Sequence, residues 1–323
     1  MLSFLYSMLN LAVTMSMAMS MSMSMTLNEM TLSVPLVIKD ADISWKMNDI
    51  FIHDHNLQNL SYEVGHNHFS DVTYINGINP DTHHYLNPNR TRENDIYEIS
   101  YAHRVPKHVD WRDSHDVSSV KNQEECGSCW AFSATGALES AWSIHHHQLY
   151  NLSQQELVDC SGPYGNSGCS GGLMDNAFKY IINDGLCSNE SYPYVGTDSM
   201  CSNTTCTKVV KMKGYKDVES KDEHKLMHVV AKQPVSVAIQ ANLQSFQLYK
   251  SGIYSDPMCG DDLDHGVLVI GYGYDSDWDM NYWLVKNSWG SKWGEQGYIR
   301  IKKDIEDPGG LCGIAIDPSI PIV

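Results

Sequence analysis

Residues 123–133 read Gln-Glu-Glu-Cys-Gly-Ser-Cys-Trp-Ala-Phe-Ser, and Ala134, Leu138, Ala141 and Trp142 follow at helical spacing. The pattern predicts a helix over residues 130–144 that begins beside Cys129. A cysteine at a helix start meets unpaired backbone N–H groups and the positive end of the helix dipole, both of which favour its thiolate. A thiol nucleophile also needs a base, and the base needs an orienting partner. Two later segments offer them: Leu263-Asp264-His265-Gly266 opens a predicted strand, and Lys286-Asn287-Ser288-Trp289-Gly290 closes another.

Outward from this stretch the texture is helices first and strands second. A helix is predicted at 153–159, with Ser153 and Glu156 spaced as a capping box, and another at 173–184. Strands are predicted at 235–239, 266–273, 282–289 and 298–302, several of them bounded by Gly. This order implies an α+β protein whose two layers meet at a cleft. Upstream, residues 40–60 carry a helix-like apolar spacing (Ile43, Trp45, Met47, Ile50, Phe51, Leu57, Leu60). Residues 76–104, polar and rich in Asn and His with Pro80 and Pro88, read as an extended linker.

The chain has 323 residues, 22 Lys+Arg against 39 Asp+Glu and a formal net charge of −17, which excludes a phosphate-neutralising nucleic-acid surface. All 9 cysteines lie after residue 125. That number suits an oxidising compartment, and the odd count leaves one thiol unpaired. Sequons at Asn59, Asn89, Asn151, Asn189 and Asn203 would be available for glycosylation there. Residues 2–13 form a short apolar run followed by a Met-Ser tract through Met25, read as a signal peptide although no Lys or Arg precedes Lys39. The run is too short and too broken for a stable membrane span.

In order, VDWR (109–112), CGSCWAFS (126–133), GCSGG (168–172), DHGV (264–267) and KNSWG (286–290) resemble the signatures of the papain family of cysteine proteases, in its cathepsin L-like branch. The resemblance covers residues 105–323. It implies a papain-like fold, with a helical left subdomain (about 110–212), a β-barrel-like right subdomain (about 213–310) and the active site in the cleft between. It further implies a cysteine endopeptidase with Cys129 as nucleophile, His265 as general base and acid, and Asn287 as orienter. Cys129 and His265 would rest as a thiolate–imidazolium pair. Gln123 would complete the oxyanion hole and Trp289 would shield the His265–Asn287 bond. The resemblance suggests disulfides Cys126–Cys169, Cys160–Cys201 and Cys259–Cys312, with Cys187–Cys206 left by exclusion. No cofactor or metal is expected.

Rival readings of the same residues are weaker. Cys126-x-x-Cys129 alone could be a thiol–disulfide redox pair, but that leaves the other in-order motifs incidental. A catalytically impaired binding protein would be expected to have lost Cys, His, Asn or Gln, and all four are present. His145-His146-His147 diverge by about 100° per residue and read as a solvated helix end. Asp264 neighbours the base but, on a strand, points to the opposite face. One departure stands out: Glu124 occupies a position where the family usually has Gly, so a positive φ there would cost about 1 kcal/mol.

Residues 65–71 (GHNHFSD) resemble the family's GxNxFxD propeptide signature, and Asn48, Ile52 and Asn56 match the second half of its helical pattern. Val37 and Ala41 stand where the first half expects Glu and Arg. Residues 26–104 are therefore read as an atypical inhibitory propeptide and linker, processed between about His103 and Pro106, ahead of a peptidase domain at 105–323. Polypeptide substrates would lie extended along Gly171-Gly172. Leu173, Met174, Ala238, Leu263 and Gly266 would line the pocket for the second residue before the scissile bond, with Asp317 at its bottom. No insertion resembling an occluding loop is present, which favours an endopeptidase. Other expected partners are its own propeptide and cystatin-like inhibitors. The expected form is a monomer on the secretory route, in an acidic lysosome- or vacuole-like compartment or outside the cell.

Overall fold

A computed structural model describes residues 40–75, 96–98 and 104–323. The apolar leader, the Met-Ser tract, most of the 76–104 linker and the Asn89 sequon lie outside the described residues.

The first described element is helix α1 (Asp40–Asn56). Its apolar spacing misleads about which side is packed: Ile43, Trp45, Met47 and Ile50 are all exposed. The packed stripe is Ser44, Asn48, Phe51, Ile52 and His55, at steps of three and four. Hydrogen bonds make the difference. Asn48 donates to the carbonyls of Ser70 (2.8 Å) and Val72 (3.0 Å), and Asn56 exchanges two bonds with the backbone of Val64 (2.9 and 3.0 Å). An amide that satisfies two backbone carbonyls can be buried, so polar side chains own this interface.

Strand β1 (Tyr62–Val64) then pairs antiparallel with β7 (Tyr249–Tyr254), Tyr62 opposite Gly252. The 65–71 loop is tied down behind it. Gly65 N–H donates to Leu248 O (2.8 Å), Asn67 Nδ2 donates to Gln247 O (2.8 Å), and Phe69 meets Trp289 edge-on at 4.7 Å.

Three helices follow. α2 (Cys129–His146) is buried on nearly all sides from Cys129 to Ala141, as an apolar helix through a core must be. It stops where His147 turns left-handed (φ 56°) and returns its N–H to Ser143 O; the His run is indeed exposed. α3 (Gln154–Cys160) is capped by Ser153, whose hydroxyl accepts the Glu156 N–H at 3.0 Å. Only half of the expected capping box forms. The Glu156 carboxylate serves Tyr180, the Cys187 N–H and Lys208, and the Ser153 N–H bonds Cys187 O. α4 (Met174–Asp184) completes the helical layer.

The strand layer comprises β2 (Val109–Asp110), β5 (Gly214–Asp217), β6 (Val235–Ile239), β7, β8 (His265–Asp275), β9 (Met280–Lys286), β10 (Tyr298–Lys302) and β11 (Ser319–Ile322), with a separate pair β3 (Leu186–Cys187) and β4 (Lys208–Val210). The order is β1-β7-β10-β9-β8-β6-β11-β5, with β2 added on β8. The right half expected to be barrel-like is an open sheet among the described residues; β1 and β5 end the order, and β5 takes only an isolated parallel bridge from Ile96 to Asp217 on its other side. Chain order and spatial order also part at the edges, since β2 joins the strand layer and β11 closes against β5 and β6.

Strand β8 organises the molecule. Val267 and Val269 enter one core with Val235, Val237, Trp283 and Val285, while Leu268 and Ile270 enter the other with Trp130, Leu138 and Phe178. Alternation at period two sends successive residues to opposite layers, so a strand apolar throughout is buried on both faces. Gly136 permits the contact, because a Cβ there would lie 3.0 Å from Leu268 Cδ2. α5 (Glu223–Val230) and α6 (Gln244–Gln247) cover the strand side.

Candidate active site

The start of α2 is set by the loop before it. Disulfide Cys126–Cys169 joins that loop to the Gly168–Gly172 segment, and Gly127 N–H donates to Cys169 O at 2.9 Å. A Cβ on Gly127 would meet that oxygen at 2.5 Å, so only glycine fits. Ser128 is the N-cap without a side-chain cap bond, and Cys129 is the first helical residue. The other disulfides are Cys160–Cys201, Cys187–Cys206 and Cys259–Cys312. Among the described residues Cys129 alone keeps a free thiol. The cluster of Glu156 with Cys187 and Cys206 offers no metal site, since both sulfurs are spent in one disulfide.

His265 opens β8 opposite Ile239, and Asn287 follows β9 directly. The two starts abut: a Cβ on Gly266 would lie 3.2 Å from Trp130 N and Cα and 3.3 Å from Met174 Sδ. The Gly266 amide lies near enough to the Cys129 thiol to favour its thiolate. His265 Nε2 lies 2.8 Å from Asn287 Oδ1. An amide oxygen only accepts, so Nε2 carries the proton and Nδ1 is the ring's accepting nitrogen. Asn287 Oδ1 also accepts the Ser288 N–H at 2.7 Å. Trp289 stacks on the imidazole at 4.5 Å and is itself wedged by Trp293 (5.1 Å) and Phe246 (5.9 Å).

Sealing of this kind decides the charges. Burial pushes the Cys129 thiol up to about 12, against the lowering by the Gly266 and Trp130 amides. Burial likewise pushes His265 down to about 4, the Asn287 bond opposing. Burial thus disfavours the charged form of each group taken separately, and the ion pair expected from the sequence would have to be held by the mutual attraction of its two charges.

Gln123 is fixed from three sides. Its N–H donates to Ser288 O (2.8 Å), its Oε1 accepts from Ser288 Oγ (2.6 Å), and its Nε2 donates to Cys126 O (3.0 Å). The second Nε2 hydrogen is left for a ligand. Glu124 does take a positive φ of 55°, the strained value anticipated from its replacing Gly. Asp264 turns away from the imidazole: Oδ1 accepts the Ala241 N–H at 2.7 Å, and burial lifts its carboxyl to about 7.

Of the pocket residues, Met174, Ala238 and Leu263 share one core cluster. Leu173 and Asp317 are half-buried. Gly172 needs its missing side chain, since a Cβ would meet Asn166 Oδ1 at 2.4 Å, while Gly171 is buried with its carbonyl accepting Ser167 N–H (2.7 Å). Two side chains not singled out from the sequence join the site. Ile316 packs against the Met174–Ala238–Leu263 cluster. Tyr194 reaches the loop before α2, in a Tyr-Pro-Tyr run at 192–194 that carries no motif-level signal of such a contact.

A free thiol thus opens a buried helix, and an imidazole held by an amide opens the strand whose next residue, Gly266, packs against that helix at Trp130. The sequence profile of the papain family cysteine protease matches residues 105–322. A cathepsin L-like protein of Caenorhabditis elegans is 47% identical over 278 residues, covering 84% of this chain and 80% of that one. A recombinant stem bromelain precursor superposes with a TM-score of 0.80 at 38% identity, covering 88% of this chain and 91% of that one. The bromelain protease of Ananas comosus in complex with the E64 inhibitor gives a TM-score of 0.65 at 44% identity, over 68% of this chain and 100% of that one. The chain belongs to the papain family of cysteine proteases. It is a cysteine endopeptidase synthesised as a zymogen, and its four disulfides fit the oxidising compartments of the secretory route. No helix among the described residues is long and apolar enough to cross a membrane.

Proposed function

We propose that Cys129, His265 and Asn287 carry out peptide-bond hydrolysis, with Gln123 completing the oxyanion hole. The observations that carry this reading are the single free thiol at a helix start and an imidazole whose Nε2 is bound by Asn287 beneath Trp289, with Gly266, the residue after His265, packed against Trp130, the residue after Cys129. Sulfur passes its proton to His265 Nδ1 and attacks the scissile carbonyl. The oxyanion is held by the free Gln123 Nε2 hydrogen and the Cys129 N–H, two donors rigid before reaction. His265 protonates the leaving amine, the amide C–N bond breaks and a thioester remains. His265 then takes a proton from water, which attacks the thioester and frees the acid. Asn287 keeps the imidazole turned towards sulfur throughout, and Trp289 keeps water off its bond to His265.

An epoxide reactive towards cysteine-protease thiols tests this. Peptide mass spectrometry of the processed enzyme is expected to find one adduct, on Cys129, with peptide hydrolysis abolished in proportion. Full labelling with hydrolysis intact would refute the assignment.

Substrates are polypeptides lying along Gly171-Gly172, with Leu173, Met174, Ala238, Leu263, Gly266 and Ile316 forming an apolar pocket for the second residue before the cut. Asp317 borders it, so Arg should be accepted there alongside Leu and Phe, a charge-assisted contact offsetting desolvation. In Asp317→Ala the ratio of kcat/KM for Arg over Leu peptides is expected to fall about tenfold, roughly 1.4 kcal/mol. An unchanged ratio removes Asp317 from the pocket. Residues 26–104 act as the inhibitory propeptide, and the polar α1 interface with the β1–β7 pairing supports that role. The working form is a monomer, open to cystatin-like inhibitors, in an acidic lysosome- or vacuole-like compartment or outside the cell.

A further inference from the structure

Between the loop carrying Gln123 and the start of α2 stands a phenol outside the catalytic set. The Tyr194 hydroxyl donates to Gln123 O at 2.7 Å and lies 2.7 Å from Ser128 Oγ. A phenol has one hydrogen, and the carbonyl can only accept, so Ser128 must donate to the phenol oxygen. The result is a relay from Ser128 Oγ–H through the Tyr194 hydroxyl to the Gln123 carbonyl. Its other contacts are poorer: Ser128 Oγ is 3.4 Å from Cys126 O, and Gln123 O receives the Cys126 N–H at 3.4 Å. Ser128 is fully buried, and the Tyr194 ring packs edge-on against Phe132, within the first turn of α2, at 5.0 Å.

We infer that Tyr194 is a positioning residue for the oxyanion hole, setting the separation of its two donors. This rests on the assignment of Gln123 and Cys129 above. One donor hangs on the Gln123 backbone and the other is the N–H immediately after Ser128, so the relay ties together the two residues on which their spacing depends. Donors must lie within a few tenths of an ångström of the developing oxyanion to stabilise it. The intervening loop spans five peptide units including Gly127, and its own bonds, from Gln123 Nε2 (3.0 Å) and the Ser128 N–H (2.7 Å), converge on Cys126 O rather than joining the two ends directly. The disulfide at Cys126 anchors the middle of the loop to the Gly168–Gly172 segment but neither end to the other.

Tyr194→Phe keeps the ring on Phe132 and removes both bonds. In the processed enzyme kcat is expected to fall about 5- to 30-fold with KM within twofold, since the lost contact matters only once the oxyanion forms. Affinity for a peptide aldehyde, whose thiol adduct places an oxygen in the same hole, should fall by a similar factor. Alkylation of Cys129 by iodoacetamide forms no oxyanion, so its rate and pH profile should match wild type. Ser128→Ala, which removes one arm only, should show the same pattern at smaller amplitude and serves if the phenylalanine variant does not fold. A kcat within twofold of wild type, or alkylation falling in step with kcat, overturns the inference. Failure of wild-type Cys129 to alkylate at all would instead retire the site assignment on which it rests.

Discussion

Cys129→Ala is expected to lower kcat for peptide hydrolysis by about five to six orders of magnitude while leaving the zymogen folded. At 1.36 kcal/mol per decade this is about 7–8 kcal/mol of transition-state stabilisation. The loss is this large because the acyl-enzyme route disappears with the sulfur. Gln123, the Cys129-position N–H and the substrate cleft remain, so only residual catalysis by binding and the oxyanion hole survives. Folding should hardly notice. The thiol is buried, with burial raising its pKa, and its replacement removes a single heavy atom. The variant would be processed by an added protease, since self-processing is lost, and assayed with a fluorogenic peptide. Turnover within a hundredfold of wild type would contradict Cys129 as nucleophile. A shift of the unfolding midpoint beyond a few degrees would mean the thiol also supports the fold.

Placed on that inactive background, where self-digestion cannot confuse the measurement, Glu139→Ala is expected to destabilise the zymogen by about 3–5 kcal/mol. Glu139 lies on α2 and is fully buried, yet its carboxylate accepts from Lys121 Nζ (2.7 Å), Ser118 Oγ (2.5 Å) and the Leu152 N–H (2.8 Å). Lys286, the residue before Asn287, donates from the same cluster to Ser118 O (2.7 Å) and Oγ (3.0 Å). Removing the one carboxylate strands two ammonium groups in a low-dielectric interior. Burial would raise the Glu139 carboxyl, but Lys121, Lys286 and the Ser118 hydroxyl outweigh it, and the net is a lowered value. A carboxyl lowered by folding stabilises fully above its ordinary range, and that contribution is lost as pH falls through the folded value. The gap between the two proteins in urea unfolding should therefore be widest near neutrality and narrow in acid. A gap below 1 kcal/mol at pH 7, or one that widens as pH drops, would show that the cluster does not hold α2 to the Asn287 segment.

The parts of this protein legible in the sequence are those governed by local periodicity or by residues whose chemistry needs particular neighbours. The strands at 235–239 and 298–302 coincide with β6 and β10 because branched and aromatic residues crowd there. Helix α4 begins within a residue of its expected start. Where the reading slipped, a tertiary partner outbid a local pattern. Ile43, Trp45, Met47 and Ile50 of α1 point outward while Phe51 and Ile52 pack, because Asn48 and Asn56 find backbone carbonyls and amides that their own helix cannot supply. The second half of the capping box failed for the same reason, Glu156 being claimed by Tyr180, Lys208 and the Cys187 N–H.

The chain by itself determined the α+β order of its elements, the odd cysteine and the placing of Cys129 at a helix start, because each depends on residues close in sequence or on a count. Only the tertiary structure decided that β8 divides its residues between two cores and that Trp293 and Phe246 wedge Trp289 against His265. It alone also showed that Tyr194 spans Ser128 and Gln123. Those contacts join residues far apart in the chain through side-chain geometry, and no periodicity encodes a hydrogen bond between segments that meet only after folding.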